Sequence, residues 1–155
     1  MKFAVGADET HPVIDQVIKT LKEQGHEVEF YGPTGKGMVP WPSVARSVAE
    51  EMVQRRSQEG ILFCWTGTGV SIAANKIPGI RAALCTDAET ARGARLWNDA
   101  NVLCISLRLT SIAVAQEILK AWIETRYQPN PEDDDCLKLI RDLEEYSAHS
   151  QYFGP

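Results

Sequence analysis
The chain lacks a hydrophobic run long enough to cross a bilayer, lacks any CxxC pair among its four cysteines, and lacks a surplus of basic residues. The first absence excludes a helical membrane span. The second argues against zinc-ribbon and thioredoxin-like chemistry, so reduced thiols in a cytoplasmic setting are the simplest expectation. The third rests on 16 Lys and Arg against 21 Asp and Glu, a formal net charge of −5. General nucleic-acid binding needs a basic face, which this balance does not supply. Neither an internal repeat nor an inter-domain linker is evident. No signal peptide is expected, because Met1-Lys-Phe-Ala-Val-Gly runs straight into a strand pattern. What is present is an ordinary globular composition, 155 residues of which 44% are apolar and 24% charged. That length suits one domain, spanning 1–155, with its own core.

Apolar periodicity alternates between the two secondary-structure periods. Lys2–Val5 reads as a strand and His11–Gln24 as a helix with Val13, Val17, Ile18 and Leu21 on one stripe. Gly25 is placed to close that helix. Glu27–Tyr31 alternates like a more exposed strand, and the glycine- and proline-rich stretch 32–42 reads as a loop. Ser43–Ser57 predicts a helix with Val44, Val48 and Met52 on one face. Ile61–Trp65 is a strand apolar throughout, as in sheets covered on both faces. A short helix from about Val70, strand Ile80–Cys85, helix Ala88–Trp97, strand Asn101–Ser106 and a Ser111-capped helix to about Arg126 follow. Asp133–Asp135 opens a last helix, about 132–147, and the tail 148–155 is expected to fray or to lean on a partner. Five strand–helix repeats imply an α/β fold: a parallel sheet with helices on both faces and an extra C-terminal helix.

The segment Gly60–Lys76 carries the chemistry. It reads as strand, glycine-bearing turn and small-residue helix start, with Cys64 where the strand ends. Open α/β sheets place their sites outside the carboxyl ends of parallel strands. Amides of such a turn attract negative charge, and a thiol beside them can act as base or nucleophile. A plain strand–helix connection is the competing reading from the residues alone. Cys85 and Cys104 read as small core residues.

Cys64-Trp-Thr-Gly-Thr-Gly-Val-Ser-Ile-Ala-Ala-Asn-Lys76 resembles the C-G-T-G-x-G-x-S-I-A-A-N-K motif of the type B ribose-5-phosphate isomerases and the related galactose-6-phosphate isomerase subunits. Gly79-Ile-Arg-Ala-Ala-Leu-Cys85, Trp97-Asn-Asp-Ala-Asn-Val-Leu103 and Gly6-Ala-Asp8 extend the resemblance to about Ile140. It implies a Rossmann-like three-layer fold with a five-stranded parallel sheet. It also implies a homodimer, sometimes a tetramer, with the active site between subunits, and no metal or organic cofactor; in a dimer the C-terminal helix is a candidate to pack on the partner. The implied reaction is aldose–ketose isomerisation through an enediol. Such a reaction needs a base to move a proton between adjacent carbons and donors for the oxygen that becomes negative. By resemblance Cys64 is the base, Thr66 offers its hydroxyl, and the amides of Gly67, Thr68 and Gly69 hold the enediolate. Asp8 handles the ring oxygen or hydroxyls, Asn98 contacts substrate, and Arg108 helps to bind a phosphate.

Four departures bear on the substrate. Glu9 stands where the family has histidine, and Trp65 where it has glycine. Trp97 replaces the histidine assigned to ring opening. Pro131 and Asp135 replace two phosphate-binding arginines, beside Glu132, Asp133 and Asp134. A phosphate there would meet repulsion on the order of 1 kcal/mol per neighbouring charge, unless these acids serve only to start a helix. Tryptophan cannot exchange a proton at neutral pH but can wall a pocket or face a sugar ring. The expected substrate is therefore a small sugar or sugar phosphate, already open-chain or opened by another group such as Glu9 or His11. The competing expectations are an ordinary ribose-5-phosphate isomerase with replaced phosphate ligands and a sugar-binding protein without catalysis.

Overall fold
The computed structural model describes residues 1–35 and 37–150. Five strands, β1 (Lys2–Ala7), β2 (Glu27–Tyr31), β3 (Glu59–Cys64), β4 (Ala82–Leu84) and β5 (Val102–Ser106), alternate with α1 (Pro12–Glu23), α2 (Trp41–Val53), α3 (Thr68–Ala74), α4 (Ala88–Asn98) and α5 (Ile112–Glu124). A further helix, α6 (Pro131–Ser150), follows. All pairings are parallel, in the order β2-β1-β3-β5-β4. The α/β, Rossmann-like architecture expected from the sequence is the one that forms.

The pleat sorts the core into two layers. Phe3, Val5, Ile61, Phe63, Leu103 and Ile105 face α1, α4 and α5, where Trp122 is fully buried. Ala4, Leu62, Cys64, Val102 and Cys104 face α2 and α3. Coverage of both faces explains why β5 up to Ile105 and the centre of β3 carry apolar residues at every position. β2, at the sheet edge, keeps exposed glutamates instead.

Several boundaries move for local reasons. β3 begins at Glu59 rather than Ile61, because its carboxylate has partners inside. Arg95 donates to Glu59 Oε1 at 2.7 Å and to Oε2 at 3.2 Å, Trp122 Nε1 donates to Oε2 at 3.2 Å, and the guanidinium stacks 4.9 Å above the indole. α2 begins at Trp41, since Pro42 falls in its first turn, where a missing N–H costs nothing. It ends at Val53 rather than Ser57, because Arg55 turns left-handed at φ 57°. β4 is shorter than the apolar run Ile80–Cys85 suggests. α6 runs to Ser150, past the expected 147, and of the tail 148–155, residues 151–155 lie outside the described residues. Among the described residues no helix is long and apolar enough to cross a membrane.

Candidate active site
The strand order reverses direction between β1 and β3. The chain steps from β1 outward to β2, then crosses to β3 on the other side. Ala7 is paired with Phe63, so the next residues, Asp8 and Cys64, leave adjacent strands side by side, about 5 Å apart along the backbone. This is the crevice where open α/β sheets bind ligands. Both residues are buried, at 5% and 4% exposure. Asp8 Oδ1 is enclosed without a hydrogen-bond partner. Burial pushes the Asp8 carboxyl above its ordinary pKa and the Glu9 charge adds to this, while the Asp8 and Glu9 amides oppose it. A buried carboxyl oxygen with no partner among the described residues is suited to a ligand hydroxyl.

The turn after Cys64 is fixed from three directions. Gly67 N–H closes back onto the Cys64 carbonyl at 3.2 Å, and Leu107 N–H reaches the same oxygen at 3.1 Å. The Trp65 carbonyl accepts from Arg108 N–H at 2.9 Å and from Ser106 Oγ at 3.0 Å. With its backbone held this way, Trp65 is outside the ladder and its indole is half exposed. Gly67 takes φ 73° as the N-cap of α3. Since its own N–H is engaged in the turn, the donors left without a helical partner are those of Thr68, Gly69 and the following residue. The hydroxyls of Thr66 and Thr68 are 2.6 Å apart. Cys85 and Cys104 are core thiols, as expected. Burial pushes Cys85 up to about 12 and Cys104 well above its ordinary value.

Two residues near this turn escape sequence reasoning. Trp41 packs on Gly69, where a Cβ would sit 3.1 Å from the indole. Trp41 lies at the end of a stretch that reads as loop, so nothing in the sequence ties it to position 69. Ser106 is the residue paired with Cys64, and its hydroxyl also accepts from Leu109 N–H at 3.3 Å. Its place at the end of an apolar strand was the available signal.

The expected site residues do not all gather. Asp8, Glu9, Cys64, Trp65, Thr66, Gly67, Thr68, Gly69 and Arg108 lie at the carboxyl end of the sheet. Trp97 and Asn98 lie at the opposite end, where α4 finishes before β5 begins. Cys64 pairs with Ser106 at the far end of β5, so at least the strand from Val102 to Ser106, about 13 Å, separates them. Both are exposed. Trp97 lies over Gly93 and borders a cavity of about 280 Å3 with Gln128, Asn130 and Asp133. Asn98 borders another, of about 700 Å3, with Lys76, Arg81, Leu143 and Glu144.

At the start of α6 the acids have local roles. Asn130 Oδ1 accepts from Asp133 N–H at 2.9 Å while its Nδ2 donates to Asp133 Oδ2 at 2.6 Å, and Tyr127 Oη donates to Asp134 Oδ1 at 2.7 Å. Arg126 is turned onto the Trp122 and Thr125 carbonyls. Pro131 and Asp135 thus open a helix with no cation in their place.

Comparison with known proteins agrees with this fold. The sequence model described as Ribose/Galactose Isomerase matches residues 3–139. Galactose-6-phosphate isomerase subunit LacB of Clostridium acetobutylicum is 34% identical over 144 residues, 92% of this chain and 83% of that protein. D-erythrulose-4-phosphate isomerase of Pectobacterium atrosepticum is 36% identical over 131 residues, covering 83% and 86%. The structure of Clostridium thermocellum ribose-5-phosphate isomerase B superposes with a TM-score of 0.91 at 34% identity, covering 95% of this chain and 99% of that one. A match over nearly the whole chain, on the same architecture, places it in the ribose/galactose isomerase family.

Proposed function
We propose that the protein is a cofactor-independent aldose–ketose isomerase whose site is shared between two copies of the chain. The observation that carries this reading is the pairing of a buried thiol and a buried, partner-less carboxyl oxygen at the reversal point of the sheet. Cys64, as thiolate, takes the C2 proton of an open-chain aldose. The C2–H electrons form the C1–C2 double bond and the carbonyl oxygen becomes an enediolate oxygen. The thiol then returns the proton to C1 while the O2 proton moves to O1, so aldose becomes ketose with no net loss of atoms or electrons. The amides of Thr68 and Gly69 stabilise the enediolate. Asp8 holds a substrate hydroxyl, and Thr66 offers its own to the reacting oxygens.

Trp97 and Asn98 cannot reach Cys64 of their own chain, so they serve the site of a second copy. Exposed apolar residues at both ends of the sheet, Trp65, Leu109, Trp97 and Leu143 among them, support burial against such a copy. The substrate is a small sugar that needs no histidine to open its ring. A tetrose phosphorylated at C4 meets that condition because it cannot close a furanose. Acids tied into the start of α6 disfavour a phosphate there, and Arg108, exposed beside the turn, is a cation at the carboxyl end of the sheet among the described residues. Ribose-5-phosphate isomerisation is the second reading, favoured by that same arginine.

The test uses D-ribose 5-phosphate, D-erythrulose 4-phosphate, D-galactose 6-phosphate and their dephosphorylated forms, followed by NMR. The wild type interconverts at least one pair, and Cys64→Ala slows it by about 100-fold or more. Full activity in Cys64→Ala contradicts the base assignment. Tight binding without conversion of any sugar makes the protein a binder rather than an enzyme.

A further inference from the structure
Three sequence motifs far apart in function meet at the amino end of β4 and β5. The Asn75 carboxamide donates to the Ala82 carbonyl and accepts from Ala82 N–H, both at 2.8 Å. The Asn101 carboxamide accepts from Arg81 N–H and donates to the Gly79 carbonyl, again at 2.8 Å. Within this lattice one side chain reaches α4. Arg81 Nε donates to the Asn98 carbonyl at 3.2 Å and the Asp99 carbonyl at 2.7 Å, and its Nη2 meets Asp99 Oδ2 at 2.7 Å. These acceptors lie at the C-terminus of α4, where carbonyls have no helical donor. Asp99 there is left-handed, φ 43°, a conformation a non-glycine residue keeps only when its surroundings hold it.

Asn98 itself is exposed, and among the described residues its carboxamide makes no hydrogen bond. The chain therefore fixes the backbone of Asn98 on one side and leaves its amide free on the other. Open to solvent, that carboxamide is available to a group outside the chain.

We infer that Arg81 is a positioning residue for the reaction. Through the carbonyls of Asn98 and Asp99 it fixes the direction in which Asn98 is presented to a substrate held on Cys64 of the partner subunit. This rests on the shared-site reading above. The Arg81 guanidinium never touches the sugar. Its Nε is shared by both carbonyls while Nη2 meets the carboxylate, which a lysine cannot do.

Two experiments test it, using the sugar from the panel that the wild type converts fastest. In a double-mutant cycle, Arg81→Met and Asn98→Ala each lower kcat/KM by at least about tenfold, the size of one hydrogen bond to substrate. The double variant is no worse than the poorer single one, because Arg81 acts through Asn98. Losses that multiply overturn the proposal, as does an Arg81→Met enzyme with unchanged kcat/KM. In the second experiment, subunits are mixed. A two-fold dimer of one Cys64→Ala and one Arg81→Met chain has one site with both defects and one with neither. An equal mixture then recovers about one quarter of wild-type activity, half the dimers having one working site of two. No recovery means that Arg81 supports its own subunit and overturns the proposal. A parallel mixture of Cys64→Ala with Asn98→Ala separates the two levels: if it too fails, the shared site is wrong, and if it alone succeeds, only the role of Arg81 is wrong. Where Arg81→Met does not fold, Arg81→Lys, which keeps the charge but cannot make the fork, replaces it in both experiments.

Discussion

Gly67 and Gly79 are both left-handed, at φ 73° and 85°, yet their surroundings differ. A Cβ on Gly79 would meet nothing within 4 Å. A Cβ on Gly67 would stand 2.5 Å from Leu84 Cδ1, 3.0 Å from Ser106 N and 3.1 Å from the Ile105 carbonyl carbon. Leu84 can shift, but the backbone of a central strand cannot shift cheaply. Gly79→Ala therefore carries the left-handed penalty of about 1–2 kcal/mol, offset by roughly 0.4–1 kcal/mol of lost unfolded-state freedom. Gly67→Ala adds overpacking of about 1–3 kcal/mol, for a total of about 1–5 kcal/mol. At about 2–4 °C per kcal/mol for a chain of this size, Gly79→Ala lowers Tm by a few degrees and Gly67→Ala by about 2–18 °C. Thermal unfolding followed by circular dichroism, at one subunit concentration for all variants, measures the difference. Activity should also fall with Gly67→Ala, since Gly67 shapes the turn after Cys64. Equal Tm losses would refute the claim that the turn is packed against β5.

Asp8→Asn should raise stability at neutral pH while lowering turnover by about 100-fold. The folded pKa of Asp8 lies above its unfolded value, so the penalty is absent below about pH 4 and grows as pH rises through the folded value. The gain from Asp8→Asn follows that course in pH-dependent unfolding, and a loss of stability at pH 7 would contradict it. Arg95→Met leaves Glu59 buried with one remaining donor, Trp122, and should cost about 3–5 kcal/mol. Adding Glu59→Gln to it should recover much of that loss in denaturant unfolding, whereas additive losses would show that the pair does not act as a unit.

The layers of this fold are legible because each strand face has its own helices, so apolar stripes of period 3.6 and unbroken strand runs coincide with single elements. Edge strand β2 could be read to the residue, since its alternation has no competing cause. Partners distant in sequence leave no such trace. Glu59 looks like a loop charge until Arg95 and Trp122 are placed beside it, and Trp41 looks like loop until it meets Gly69. The candidate site was half legible. Cys64 and its turn are contiguous, and β1 brings Asp8 alongside by register. Trp97 and Asn98 are recognisable by motif, but only the topology shows that they stand at the wrong end of the sheet to serve their own Cys64.

The most direct test of a carbon-acid isomerase is the fate of the C2 proton. Wild-type protein and Cys64→Ala are incubated in deuterated water with the converted sugar, and deuterium at C2 of the aldose and at C1 of the ketose is read by NMR. The account expects the wild type to incorporate deuterium at a rate comparable with turnover, and Cys64→Ala to incorporate none above the uncatalysed background. Equal incorporation by both would contradict Cys64 as the base that passes the proton through an enediol.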